Sequence, residues 1–300
     1  MEKNNHPKVK NAAICFSGLA KNFELCYPYI KKNLLNQIGS YDVFCCTEDD
    51  ENADKVNLLN PVISKKIKSS EVDKIIKPEL KALKNQNYKK FIFPESSGFN
   101  LRNVYQQIYK IKEAFNLLEH YMKENNVSYR YFIRIRFDFL PINEINPKTL
   151  GIKKGEIVTP PLRTSDKDQI NDMFCITGDF SAFKSYCLVY DNLSKIILEQ
   201  LQFNPSPIQK FYFFLEKQYV SALFFLFRKL TSKKFFKNIL GFLLLFPKKF
   251  YKQFKGSFRA CLERVFFYHL KSEKKAVREE KIDFIIVRNL TDGLLTFSDF

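Results

Sequence analysis

The chain has 300 residues, 45% hydrophobic and 27% charged, with 32 Phe, 15 Tyr and no Trp. So much aromatic material has to be buried, which excludes a disordered chain, and 9 Gly with 12 Pro exclude collagen-like and Pro/Gly-rich classes. The net charge of +17 points to an anionic partner, and it is concentrated: residues 225–270 carry eleven Lys or Arg against one acid, Glu263, while the other 254 residues carry only +7.

Ala12–Ser17 is a short apolar run stopping at Ser17-Gly18, which reads as a buried strand entering a turn. Residues 21–38 show helical spacing through Phe23, Tyr27, Ile30, Leu34, Leu35 and Ile38. Tyr41–Cys46 is a second strand, ended by the acidic loop 47–51, so the chain opens β-α-β, the start of a parallel sheet. Residues 52–90 are charged and weakly periodic, with helical pieces, and Phe91–Pro94 reads as a short strand. A strong amphipathic helix follows over about 101–124, with Val104, Ile108, Ile111, Phe115, Leu118 and Tyr121 on its apolar face. Strands are expected at 129–140, 157–159 and 173–177, a polar loop at 162–172, a helix at 179–201 and a last core strand at 281–287. No internal repeat is evident. The alternation argues an α/β fold.

Seven cysteines, an odd number without Cys-x-x-Cys, read as buried free thiols of a reducing compartment. Three scattered histidines offer no zinc spacing. Residues 1–10 are polar and basic with no signal-peptide core after them, and no window gives 18 uncharged apolar residues. The expectation is a cytosolic protein, with or without attachment to a membrane face.

The chemistry concentrates in Tyr129–Leu140. Its odd positions are apolar throughout, while Arg134, Arg136 and Asp138 share the other face at the strand's carboxyl end. In open α/β sheets ligands bind outside the carboxyl ends of strands. Arginine takes phosphate through paired hydrogen bonds, and an aspartate beside phosphates suits a divalent cation. The trio therefore fits a nucleotide diphosphate with its metal. The plainer alternative is that the three charges pair with one another on a solvated sheet face.

The ordered set Ile14–Asn22, Tyr131–Asp138 and Ile170–Phe174 resembles a group of glycosyltransferases from bacterial surface-polysaccharide and lipopolysaccharide gene sets. The resemblance spans roughly residues 11–225 and the last strand. It implies a GT-A-like (Rossmann-like), mostly parallel sheet flanked by helices, and a hexosyltransferase-type enzyme using a nucleotide-diphosphate sugar. It also implies that the Gly18 turn lies under the nucleotide, that Lys21 meets a phosphate and that Asp138 stands in the acidic metal motif, for Mn or Mg. Arg136 occupies the place of the second acid of Asp-x-Asp, so the two arginines offer an alternative positive charge on the leaving diphosphate. Asp172, with Asn171, matches the later part of the pattern. Asp172 is the candidate base for the acceptor hydroxyl, with Asp166 and Asp168 as rivals and Asn171 as an acceptor contact. Asn103 and Gln107 share a helix face and reach toward the donor, and Glu216 is a further carboxylate in an apolar run.

Residues 225–270 differ in kind. Phe recurs at 242, 246, 250, 254 and 258, with Lys248, Lys249, Lys252, Lys255 and Arg259 between. Such a helix, with Phe250 and Phe254 on its stripe, suits the interface of an anionic membrane; packing of the stripe on the protein is the alternative. No nucleic-acid-binding signature is present, so nucleic acid ranks behind a membrane as partner. The expected organisation is a catalytic domain over 1–224, a basic Phe-rich helical insertion over 225–270, and a segment 271–300 returning to the core. The acceptor expected is a glycan or lipid-linked glycan at the inner face of the cell membrane. The rival reading is a non-catalytic membrane-surface or nucleic-acid-binding protein on a degenerate GT-A-like fold.

Overall fold

The computed structural model describes residues 7–85, 101–161, 170–199, 262–291 and 294–298. β1 (Lys8–Gly18) leads through α1 (Phe23–Ile30), a π-helical turn (Lys31–Leu35) and α2 (Asn36–Ile38) into β2 (Tyr41–Glu48). A 3-10 helix (Ala53–Leu59) precedes β3 (Ile63–Ile67) and α3 (Ser69–Asn85). Then come α4 (Leu101–Asn125), β4 (Val127–Ile135), β5 (Phe139–Pro141), β6 (Glu156–Thr159) and β7 (Phe174–Thr177). The last described elements are α5 (Phe180–Cys187), α6 (Val189–Glu199), α7 (Leu262–Ser272), β8 (Ala276–Glu279), β9 (Phe284–Thr291) and β10 (Leu294–Ser298).

Seven strands form the central sheet in the order β3-β2-β1-β4-β7-β6-β8. Its pairs are parallel except those made by β7, which runs antiparallel to β4 and β6. This is the expected mostly parallel α/β sheet. β1 and β2 are nearly continuous apolar runs because both of their faces are covered. One face packs on α3–α7, burying Phe44, Ile108, Phe115, Phe132, Phe183 and Phe266. The other packs on the α1–α2 stretch and a second sheet, burying Phe16, Phe23, Ile133, Phe137 and Phe139. α4 ends at Asn125, and Asn126 adopts a left-handed φ of 48° that turns the chain into β4. Asp179 caps α5, accepting from the backbone N–H groups of Ser181 and Ala182, a device contributing about 1 kcal/mol.

Four expectations change. The strand expected over 129–140 is two: β4 stops at Ile135, and β5 joins a separate three-stranded sheet, β10-β9-β5. The strand expected at 281–287 lies in that second sheet, and β8, outside every expected strand, is the edge of the central one. The helix expected at 179–201 breaks at Leu188 into α5 and α6. Residues 262–270, placed with the basic insertion, form most of α7, whose Val265, Phe266 and Leu270 are core.

Residues 200–261 lie outside the described residues, and with them the Phe stripe, Lys248, Lys249, Lys252, Lys255, Arg259, Phe250, Phe254 and Glu216. So do the strand expected at 91–94 and the loop aspartates Asp166 and Asp168. Six cysteines, all but Cys261, are described, and each is a buried free thiol.

Candidate functional site

Strand order fixes where a ligand goes. From β1 the chain moves outward to β2 and β3, then returns to β4 on the other side of β1. The connecting helices sit on opposite faces, α1 on one and α4 on the other. The crevice outside the carboxyl ends of β1 and β4 is therefore the topological switch point, where open α/β sheets bind ligands.

β1 ends there in Ser17-Gly18. Gly18 has φ +125°, a conformation that disfavours a side chain, and its carbonyl accepts from Thr47 Oγ1 at 3.1 Å. Lys21 lies just beyond, exposed, its carbonyl accepting from Lys55 Nζ at 2.9 Å.

β4 ends beside it. Arg134 stands between Cys15 of β1 and Cys175 of β7 and is 0% exposed. The solvated-face alternative is wrong for this residue: α5 covers it. Arg136 follows, its backbone N–H donating to the Met173 carbonyl at 3.1 Å. Its guanidinium makes a two-pronged pair with Asp138, Nε to Oδ1 at 2.9 Å and Nη2 to Oδ2 at 2.6 Å. The side chains are 22% and 19% exposed. Burial alone would push the Arg136 guanidinium down, but the carboxylates of Asp138, Asp172 and Glu263 outweigh it and hold it above its ordinary value.

The segment entering β7 supplies the third side. Asn171 and Asp172 are both buried, Asp172 at 2%. Asn171 Oδ1 accepts from the Met173 N–H at 2.9 Å. Asp172 Oδ2 accepts from Gln107 Nε2 of α4 at 2.8 Å. Asn103, one turn earlier on α4, is exposed and makes none of these contacts. The structure thus brings Gly18, Arg136, Asp138, Asn171, Asp172 and Gln107 to one crevice. Arg134 lies beneath it, and Lys21 and Asn103 lie on the exposed turns that follow β1 and open α4.

A divalent cation does not fit these residues. Both oxygens of Asp138 accept from Arg136, and among the described residues no three His, Cys, Asp or Glu side chains converge as a ligand set.

Several residues beside the crevice were not singled out from the sequence. Ser17 is buried and follows Phe16, the partner of Ile135, so it stands level with Arg136; its alternation with Cys15 was the available signal. Glu48 at the end of β2 pairs with Lys110 of α4, both buried. Lys110 sits one turn beyond Gln107, but nothing in the sequence singles it out. β9 also reaches the crevice. The Val287 N–H donates to the Asp138 carbonyl, and the Val287 carbonyl accepts from Asn22 Nδ2, each at 3.0 Å.

The fold defines an α/β protein with a doubly wound switch point, beside which Arg136, Asp138 and Asp172 lie. The chain matches the model of the family described as Domain of unknown function (DUF7796) over residues 7–197, and it belongs to that family. Among curated proteins nothing matches it. Solved structures that are similar at low identity include two glycosyltransferases. Mouse xyloside xylosyltransferase 1, in its apo form, has 8% identity and a TM-score of 0.37, covering 91% of this chain and 85% of that one. The apo-form glycosyltransferase GlyE of Streptococcus pneumoniae TIGR4 has 10% identity and a TM-score of 0.30, covering 70% of this chain and 44% of that one.

Proposed function

We propose that the chain is a nucleotide-sugar-dependent glycosyltransferase on a GT-A-like sheet. It would move a hexosyl group from a nucleotide diphosphate to a glycan or lipid-linked glycan acceptor. The observation that carries this reading is the meeting of Arg134 at the end of β4, and Arg136 just beyond it, with the buried carboxylate of Asp172 at the β1/β4 switch point. The resemblance of Ile14–Asn22, Tyr131–Asp138 and Ile170–Phe174 to surface-polysaccharide transferases supports it from the sequence.

The donor diphosphate lies over the Gly18 turn, and Arg136 exchanges Asp138 for phosphate oxygens. Lys21 and the α4 amides Asn103 and Gln107 flank the nucleotide. Asp172, kept in place by Gln107, takes the proton of the acceptor hydroxyl, and Asn171 orients that acceptor. The acceptor oxygen bonds to the sugar's anomeric carbon as its bond to the diphosphate breaks. The nucleotide diphosphate leaves with the electron pair, its charge neutralised by arginine. Positioning and charge stabilisation supply most of the acceleration. Among the described residues no helix is long and apolar enough to cross a membrane. Contact with the inner membrane face belongs, in this proposal, to the basic Phe-rich stretch within 225–270.

The test is thermal unfolding against UDP, GDP, CMP and their sugars, with and without manganese or magnesium. A ligand at 100 times its dissociation constant stabilises by about 2.7 kcal/mol. A shift with one nucleotide family, lost in Arg136→Ala, and nucleotide release on adding acceptor support the reading. No shift with any nucleotide, together with tight binding to anionic vesicles, replaces it with a non-catalytic membrane-surface protein.

A further inference from the structure

Arg134 is among the largest fully buried side chains of the described structure. It is wholly buried, and among the described residues nothing accepts from its Nε, Nη1 or Nη2. A guanidinium stays charged at any working pH and carries five donors, so an interior one without an acceptor is strongly destabilising.

The side chains that flank it on the sheet and on α5 are not anions. Cys15 and Cys175 flank it across the sheet, and Tyr186 and Cys187 of α5 feel its charge. Burial pushes the Cys15 and Cys187 thiols and the Tyr186 phenol well above their ordinary values and Cys175 up to about 12, so all four are neutral donors. Tyr186 also feels the carboxylate of Asp172, whose Oδ2 accepts from Gln107, but Arg134 donates nothing to it. More unsatisfied polar groups stand nearby. Tyr186 Oη faces only the Cys175 sulfur, a weak acceptor, and makes no regular hydrogen bond among the described residues, while Ser17 Oγ and Asn171 Nδ2, at the carboxyl-end level of the same strands, are buried without a partner. Buried donors are normally satisfied, and each exception calls for an explanation. Here four residues from β1, β4, α5 and the entrance to β7 share one.

We propose that Arg134 and Tyr186, with Ser17 and Asn171 above them, form an inner cradle for an oxyanion of the phosphate class, supplied by the diphosphate of the nucleotide. A tetrahedral phosphoryl group has several acceptor oxygens and satisfies donors from different elements at once, which a halide does not. The inference rests on the anion-binding half of the proposed function and not on sugar transfer. It assigns binding roles to Tyr186 and Ser17 and makes Arg134 an inner contact, reached when Arg136 leaves Asp138.

A site of this kind trades stability for binding, which gives the test its sign. Melting temperature and calorimetric affinity are measured on the full chain with pyrophosphate, inorganic phosphate and chloride at matched ionic strength. Pyrophosphate is expected to raise the melting temperature. Without anion, Tyr186→Phe and Arg134→Met are expected to melt a few degrees above the parent, because an orphaned polar group is gone. Both are expected to bind pyrophosphate roughly tenfold or more weakly. If Tyr186→Phe melts lower and binds pyrophosphate normally, the hydroxyl is a structural donor to the Cys175 thiol and the cradle is refuted. Stabilisation by chloride equal to that by phosphate also overturns the oxyanion class. Tyr186→Phe removes one atom, so it decides the matter even if Arg134→Met does not fold. Pyrophosphate binding that depends on Tyr186, with no nucleotide sugar turned over, keeps the cradle and removes the transferase. Turnover with normal anion affinity in Tyr186→Phe does the reverse.

Discussion

Asp138→Asn separates the roles open to this carboxylate. Asp138 holds Arg136 through two charge-assisted contacts of 2.9 and 2.6 Å. A diphosphate has to displace it. Hydrogen bonds to charged groups are worth about 1.5–3 kcal/mol when sheltered, and an exposed ion pair contributes about 0–1 kcal/mol. With side chains 22% and 19% exposed, this pair falls between, at about 1–2 kcal/mol. Asparagine keeps the volume and one neutral acceptor oxygen but gives up the charge. Arg136 is then freer to bind phosphate, and affinity for UDP, GDP or pyrophosphate is expected to rise by a factor of roughly 5–30. Titration calorimetry with and without manganese reads this directly. Weaker binding in Asp138→Asn, above all the loss of a manganese-dependent component, would refute the reasoning and make Asp138 a cation ligand.

Other perturbations probe the rest of the crevice. Asp172→Asn is expected to lower single-turnover transfer by about 10²–10⁴-fold while nucleotide affinity, measured by calorimetry, stays within about threefold because Arg136 and the Gly18 turn are untouched. Gly18→Ala is expected to cost about 1–2 kcal/mol in denaturant unfolding, since a Cβ there meets nothing within 4 Å and the strain lies wholly in the φ of +125°. Burial works to raise the Glu48 carboxyl, yet hydrogen bonds from Lys110 and Ser69 outweigh it and hold it below its usual value of 4.5. A depressed carboxyl contributes stability above its unfolded pKa and loses it as pH falls through the folded value. Melting temperature is therefore expected to fall below pH 4.5, more gently in Glu48→Gln than in the parent. Glu48→Ala, which strands a Lys110 side chain only 5% exposed, is expected to cost about 3–5 kcal/mol in denaturant unfolding.

Where both faces of an element are covered, the sequence announces it. β1 and β2 read as unbroken apolar runs, and α4 repeats Val104, Ile108, Ile111, Phe115 and Leu118 at helical spacing. β3 reads as Ile-Ser-Lys-Lys-Ile because it is an edge strand, and exposed lysines there guard an open edge rather than mark a loop. The split of 129–140 was invisible for another reason. Ile133, Ile135, Phe137 and Phe139 all enter the same core, so alternation continues through the turn that ends one sheet and starts another. At the site, the alternation of Arg134, Arg136 and Asp138 was legible, but burial was not. A period of two says which face a residue takes and not that α5 lies on it, and Tyr186 sits in an apolar helix with no mark of its own.

The clamp at Val287 sets an order of events. Asn22 and Val287 are 265 residues apart in sequence, and Val287 is also what fixes the Asp138 backbone. Synthesis delivers the Gly18 turn first, the arginine strand next and the clamp long afterwards. Contacts of such separation form late in folding, since loop-closure entropy has to be met before they return anything. A nascent chain stopped before residue 287 has all seven strands of the central sheet and both arginines but no completed β9 beside Asp138. Anion affinity is then expected to mature as a separate, slow step after the sheet has formed, so that the crevice stays incompetent until translation has passed the clamp.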